Sequence, residues 1–150
     1  MNDLLQQAKL YAEMGEDFVY AGEKDKALDC YEKAALMYES ASPICVDELL
    51  DLYGGIKSLY HNKKNFEKVL EYELKAIRLV ENMSHRSEPF EFMLATMYRN
   101  IAGTYCKVNN YEIAHIFIEK AIAIYQVILK EDHLYLENSR WLKERIMTQL

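Results

Sequence analysis

One residue pattern occurs three times along this chain of 150 residues. The first copy reads Glu13, Met14, Gly15, Phe18, Ala27, Tyr31 and Ala34. The second reads Tyr53, Ile56, Tyr60, Phe66, Val69, Tyr72 and Ala76. The third reads Tyr98, Ile101, Ala102, Tyr105, Tyr111, Ala114, Ile118 and Ala121. In each copy a bulky apolar residue is followed four positions later by an aromatic one, and small residues then stand seven apart. A helix–turn–helix unit of this kind buries its apolar face only by stacking on further copies of itself. The expected architecture is therefore an all-α solenoid, and solenoids of this size bind other chains more often than they carry out chemistry.

Composition narrows the choice. Hydrophobic residues make up 51% and charged residues 28%, so the chain is globular rather than disordered. Two prolines and five glycines leave long stretches free for helix. The net charge is −6, with no basic patch that could neutralise a phosphate backbone, which argues against nucleic acid as a partner. No apolar run approaches the roughly 20 residues that span a bilayer, and the N-terminus lacks the basic and apolar regions of a signal peptide. The three cysteines, Cys30, Cys45 and Cys106, have neither the count nor the spacing of a disulfide framework or a metal knuckle. These points set the expectation of a cytoplasmic protein that does not insert into membranes.

Seven helices are expected, at about 3–21, 26–41, 43–62, 66–83, 89–108, 111–130 and 133–150. Gly22 ends the first in the left-handed conformation. Asp25, Ser42, Asn65, Asn110 and Asp132 are the expected N-caps, with Pro43 and Pro89 opening their helices. Leu28, Tyr31, Ala35 and Tyr38 lie at the three-and-four spacing of a buried stripe, as do Ile113, Phe117, Ala121, Ile124 and Ile128. Gly54 and Gly55, both inside a helix, cost roughly 1 kcal/mol each relative to alanine. Close helix packing or a kink is the expected reason, with a ligand seat as the alternative.

The threefold pattern resembles the tetratricopeptide repeat (TPR). Tyr11, Met14, Gly15, Phe18, Ala27, Tyr31 and Ala34 match its first helix and the start of its second. Tyr53, Ile56, Tyr60, Phe66, Val69 and Ala76 match again, with departures at Lys57 and Glu73. Tyr98, Ile101, Ala102, Tyr105, Tyr111, Ala114 and Ala121 form the third match. The resemblance implies one domain over 1–150, a right-handed α–α superhelix with repeats at about 8–41, 50–83 and 95–128 and a capping helix at about 133–150. Leu134, Leu136, Trp141, Leu142 and Ile146 are the residues expected to cover the last repeat. The intervals from Ala34 to Ala76 (42 residues) and from Ala76 to Ala121 (45 residues) exceed the usual repeat of about 34. Repeats this long resemble those of kinesin light chains. Arg99, Asn100, Ile101 and Ala102 are similar to a segment of that subfamily, and Lys130, Glu131, Asp132 and His133 to its join.

In TPR proteins the first helix of each repeat, the A helix, lines a concave groove that takes a peptide or helix of a partner. Carried over residue by residue, the resemblance implies groove positions at Lys9, Ala12, Glu13, Glu16, Val19 and Tyr20 in repeat one. In repeat two it implies Asp51, Gly54, Gly55, Ser58, His61 and Asn62, and in repeat three Thr96, Arg99, Asn100, Gly103, Cys106 and Lys107. Among these, Lys9, Glu13, Glu16, Tyr20, Asp51, Ser58, Asn62, Thr96, Arg99, Asn100 and Lys107 are the candidate partner-binding residues. The Asn100 amide can both donate to and accept from an extended peptide backbone, and Arg99 can pair with a carboxylate. Family members that clamp the C-terminal carboxylate of heat-shock proteins use basic and amide residues where this chain has Ala12, Glu16, Gly55, Thr96 and Asn100. Glu16 would repel a carboxylate, so that function is not expected.

Chemistry finds little support. His61, His85, His115 and His133 lack metal-ligand spacing with one another or with cysteine. No nucleophile–base pair or Gly-rich phosphate loop is present. The expectation is a non-enzymatic interaction module or adaptor with a protein or peptide partner and neither cofactor nor metal. The alternatives are a vesicle-trafficking adaptor resembling the soluble NSF attachment proteins, against which the acidic balance counts, and a scaffold that self-associates into a homo-oligomer.

Overall fold

The computed structural model describes residues 2–150. Among these residues the chain forms seven α-helices and no strand: α1 (Asn2–Tyr20), α2 (Lys24–Glu39), α3 (Val46–Asn62), α4 (Phe66–Glu81), α5 (Glu88–Lys107), α6 (Tyr111–Ile128) and α7 (Leu134–Met147). The all-α expectation and the number of helices hold. The chain divides into two compact units, residues 1–72 and 73–150, with the division inside α4.

Each A helix ends in the same left-handed corner. Gly22 (φ 76°), Lys64 (φ 57°) and Asn109 (φ 59°) occupy equivalent repeat positions. At each corner two N–H groups turn back onto the helix just ended. Gly22 and Glu23 donate to Val19 and Phe18, Lys64 and Asn65 to His61 and Tyr60, and Asn109 and Asn110 to Cys106 and Tyr105. The orphan carbonyls of the helix end are thereby satisfied. Asn65 and Asn110 then cap α4 and α6, their side-chain oxygens accepting from the backbone N–H of Lys68 (3.2 Å) and Ile113 (3.3 Å).

Three expected caps are displaced. Asp25 lies inside the first turn of α2, where its carboxylate suits the helix dipole and pairs with Lys63; Glu23 is the N-cap, its side chain pairing with Lys26 and not with the helix N–H groups. Ser42 and Pro43 belong to the connection, and α3 opens at Val46 behind Cys45, whose carbonyl accepts from the Leu49 N–H. His133 rather than Asp132 caps α7, its Nδ1 accepting from the Tyr135 N–H at 3.3 Å.

In the first unit α1 and α2 form a hairpin whose antiparallel register is marked by Lys26 over the Phe18 ring, Tyr31 against Gly15 and Lys33 over the Tyr11 ring. Ala8, Ala27, Ala34 and Ala35 are buried along it. The Tyr31 ring also meets Gly55 of α3, so close packing is the reason for that glycine. Gly54 meets nothing within 4 Å, and α3 runs unbroken through both. Met14, matched to an apolar core position of the repeat, is instead exposed.

In the second unit Ala95, Ile101, Ala102, Ala114, Ile118, Ala121 and Tyr125 fill the space between α5 and α6, the alanines allowing close approach. From α7, Leu136, Ser139 and Ile146 are buried and Leu142 is half-buried. Leu134 and Trp141 do not serve as capping residues. Both are exposed, and Trp141 lies under the Arg145 guanidinium at 4.7 Å.

A tyrosine–glutamate bond recurs with the repeat. Tyr53 donates to Glu39 at 2.6 Å in the first unit, and Tyr98 donates to Glu81 in the second. In each case the middle of an A helix is tied to the end of the helix before it. Tyr60 and Tyr72 both donate to Glu32, at 2.7 and 3.2 Å. Burial and then the Glu32 bond push the Tyr60 phenol up to about 12, and burial likewise pushes up Tyr53, Tyr72 and Tyr98. A folded-state pKa above the unfolded value of about 10 contributes stability that is complete below pH 10 and lost as pH rises through about 12. Stability is therefore expected to fall between pH 10 and 12. In the Tyr60→Phe variant the slope of stability against pH should be shallower over that range. Urea denaturation at several pH values, alongside tyrosinate absorbance, checks this. An unchanged slope in the variant would refute the assignment.

Candidate partner-binding faces

In each unit a depression opens on the A helices. The first, of about 170 Å³, is lined by Ala12 and Glu16 from α1, Tyr31 and Tyr38 from α2, and Glu48, Asp51, Leu52 and Gly55 from α3. Its position follows from the packing already described. Glycines at 15 and 55 let Tyr31 lie between α1 and α3, and Tyr38, two turns further along α2, continues the same face. Burial raises both phenols first. Glu16 then adds to the shift at Tyr31, and Glu48 to that at Tyr38.

The second depression, of about 420 Å³, is lined by Gly103, Cys106 and Lys107 of α5, Tyr111 of α6, Leu142, Arg145 and Ile146 of α7, and Thr148 and Gln149 beyond it. Its charge is opposite, with Lys107 and Arg145 on its wall. Burial pushes the Cys106 thiol up, and Arg145 only partly offsets that effect, so the thiol stays protonated and weakly nucleophilic near neutral pH.

The expected groove residues are distributed unevenly over these features. Glu16 and Asp51 come together in the first depression, and Lys107 lies in the second. Lys9 and Glu13 form an exposed ion pair one turn apart on α1, at 3.9 Å. Tyr20, at 90% exposure, projects from the end of α1, and Ser58 and Asn62 are exposed along α3. Thr96 is engaged within the second unit: its Oγ1 lies 3.0 Å from the Phe92 carbonyl and 2.8 Å from the Tyr125 hydroxyl. Arg99 lies 5.2 Å over the Tyr135 ring. Asn100 is exposed. Sequence reasoning assigned Tyr31 and Tyr38 to the buried stripe of α2 and left out Glu48 and Arg145. The glycines at 15 and 55 were the available signal, since they mark where a ring passes between two helices.

Residues 94–135, which cover α5, α6 and the join to α7, match the family model described as tetratricopeptide repeat. This segment is similar to a tetratricopeptide repeat. A search of curated protein sequences found no significant match. Solved structures are similar over 95% of the chain. BtubC (BKLC) from P. vanneervenii is 18% identical with a TM-score of 0.69 over 95% of this chain, which spans 56% of that one. The N-terminal domain of stress-induced protein-1 (STI-1) from C. elegans is 15% identical with a TM-score of 0.68, covering 95% of this chain and 99% of its own. The first TPR of Spaghetti (RPAP3), bound to the HSP90 peptide SRMEEVD, is 18% identical with a TM-score of 0.59, covering 95% and 94%. At these identities the likeness establishes the fold, the all-α helix-pair repeat of TPR proteins. The chain is little more than half the length of BtubC. No helix among the described residues is long and apolar enough to cross a membrane.

Proposed function

We propose that the chain is a cytoplasmic, non-enzymatic adaptor whose A-helix faces hold an extended segment of a partner protein. One observation carries the reading. Gly54 and Gly103 lie inside A helices, at a cost of roughly 1 kcal/mol each relative to alanine, yet no neighbouring atom comes within 4 Å of where their side chains would be. Internal packing therefore does not account for them. Close approach of a foreign backbone does, and both lie at positions that the repeat turns toward its groove. The intervals of 42 and 45 residues between equivalent alanines support the long-repeat, kinesin-light-chain-like class. The acidic peptide SRMEEVD, seen with RPAP3, is not the expected ligand, because Glu16, Glu48 and Asp51 surround the first depression.

Selection of peptides from a random display library, with affinities read by fluorescence polarisation, tests this. Gly103→Phe places a ring in open space, so it should leave the melting temperature unchanged while weakening selected peptides by about tenfold or more. An Arg99→Ala, Asn100→Ala double variant should weaken them as well. Light scattering on the same samples separates partner binding from self-association. Peptides that bind Gly103→Phe, Gly54→Phe and the wild type equally would overturn the groove assignment.

A further inference from the structure

The first depression has a construction that a peptide groove alone does not require. Glu16, Glu48 and Asp51 converge on it from two helices, and none pairs with a cation or hydrogen-bond donor among the described residues. The acidic residue nearby on α1, Glu13, is already matched by Lys9. Tyr38 supplies an independent observation. It is only 7% exposed and lines the cavity, yet its hydroxyl has no hydrogen-bond partner among the described residues. The other buried phenols of this unit, Tyr53 and Tyr72, each donate to a glutamate.

The cavity's size and donor set narrow the class of occupant. At about 170 Å³ it is smaller than the roughly 300–1,000 Å³ of pockets that enclose whole small molecules, and suits one side chain. The described residues form no cluster that could hold a metal ion, so these carboxylates are not arranged around a single small cation. Carboxylates flanking two aromatic rings suit a flat, delocalised and weakly hydrated cation. Such a group stacks on a ring face while its edge donates to carboxylates on either side.

We propose that this cavity between α1, α2 and α3 is a specificity pocket for an arginine side chain of the partner segment. The guanidinium lies against Tyr31 and Tyr38 and donates to Glu16, Glu48 and Asp51, and the Tyr38 hydroxyl meets the incoming chain. The assignment rests on the peptide-binding reading and gives it a sequence requirement: a basic residue in the segment that docks on the first unit.

The test uses the full chain and N-acetyl-arginine amide, followed by two-dimensional amide NMR, with N-acetyl-citrulline amide as the neutral isostere and N-acetyl-lysine amide as the ammonium. The arginine probe should give saturable shifts confined to residues around the cavity, among them Ala12, Glu16, Leu52 and Gly55. Citrulline amide should give none, and lysine amide should bind more weakly. A Glu16→Gln, Asp51→Asn double variant, which removes exposed charges without touching the core, should weaken arginine binding at least tenfold. Tyr38→Phe should weaken it severalfold. Equal shifts from arginine and citrulline would overturn the proposal, as would lysine binding as tightly as arginine or shifts spread over every acidic surface.

Display-selected peptides separate this proposal from the reading beneath it. Peptides that need an open Gly103 but no arginine would leave the adaptor standing and remove the pocket. Arginine binding at the cavity without any selected peptide would do the reverse.

Discussion

Tyr125→Ala should lower the stability of the second unit by about 3–5 kcal/mol. Tyr125 is fully buried, with its ring at 5.7 Å from Phe92 of α5 and 6.0 Å from Tyr135 of α7. Phe92 and Tyr135 meet each other edge-on at 5.2 Å, so truncating Tyr125 empties the centre of a three-ring cluster joining three helices. Neighbours held this way cannot collapse freely into the gap, which places the loss at the upper end of core truncations. Tyr125→Phe keeps the ring and gives up the hydroxyl. Thr96 retains the Phe92 carbonyl as an acceptor, so the loss should be about 1 kcal/mol. Urea denaturation of the two variants separates the contributions. A phenylalanine variant as unstable as the alanine one would mean that the hydroxyl, not the ring, holds the cluster.

The second large effect is expected at Gly15. A methyl group there would lie 2.5 Å from Cδ1 and Cε1 of Tyr31, and 3.3 Å from Cγ. The contact is with the body of the ring rather than with a flexible tip. On its far side the ring already faces Gly55, where a methyl would lie 3.2 Å from Cε2. Gly15→Ala should therefore destabilise by about 1–3 kcal/mol, even though alanine is favoured over glycine in a helix by about 1 kcal/mol. Gly54→Ala is the matched control, because it meets no neighbour and should stabilise by up to about 1 kcal/mol. Tyr31→Leu removes the obstructing ring and should relieve Gly15→Ala in a double-mutant cycle. A Gly15→Ala protein melting at or above the wild-type temperature would show that the ring has room to shift. That result would also weaken the case for a fixed Tyr31 wall in the arginine pocket.

The seven helices were legible because their apolar spacing is regular and each stretch ends in recognisable turn chemistry. Gly22 and Asn109 announce left-handed corners by residue type. Lys64 adopts the same conformation without such a signal, and only the repeat register, 42 residues after Gly22 and 45 before Asn109, points to it. The cap assignments at Asp25, Ser42 and Asp132 failed for a common reason. Several polar residues stand next to each of those helix starts, and the choice among them depends on the path of the preceding loop. The site was harder to read. Positions on the A helices follow from the repeat, but the partners that turn them into a cavity come from α2 and α7. A stripe such as Tyr31 and Tyr38 looks the same in sequence whether its hydroxyls are matched inside the protein or left for a ligand. Thr96 and Arg99 show the converse. Their types suit binding, and tertiary packing engages both with Tyr125 and Tyr135.

Trp141 is the sole tryptophan of the chain, 57% exposed and stacked beneath the Arg145 guanidinium, which itself forms part of the wall of the second depression. Indole emission changes with the charge and water beside the ring. Anything that draws Arg145 away to meet an incoming group would alter both. The protein thus carries its own optical gauge of what settles beside α7, readable without a label.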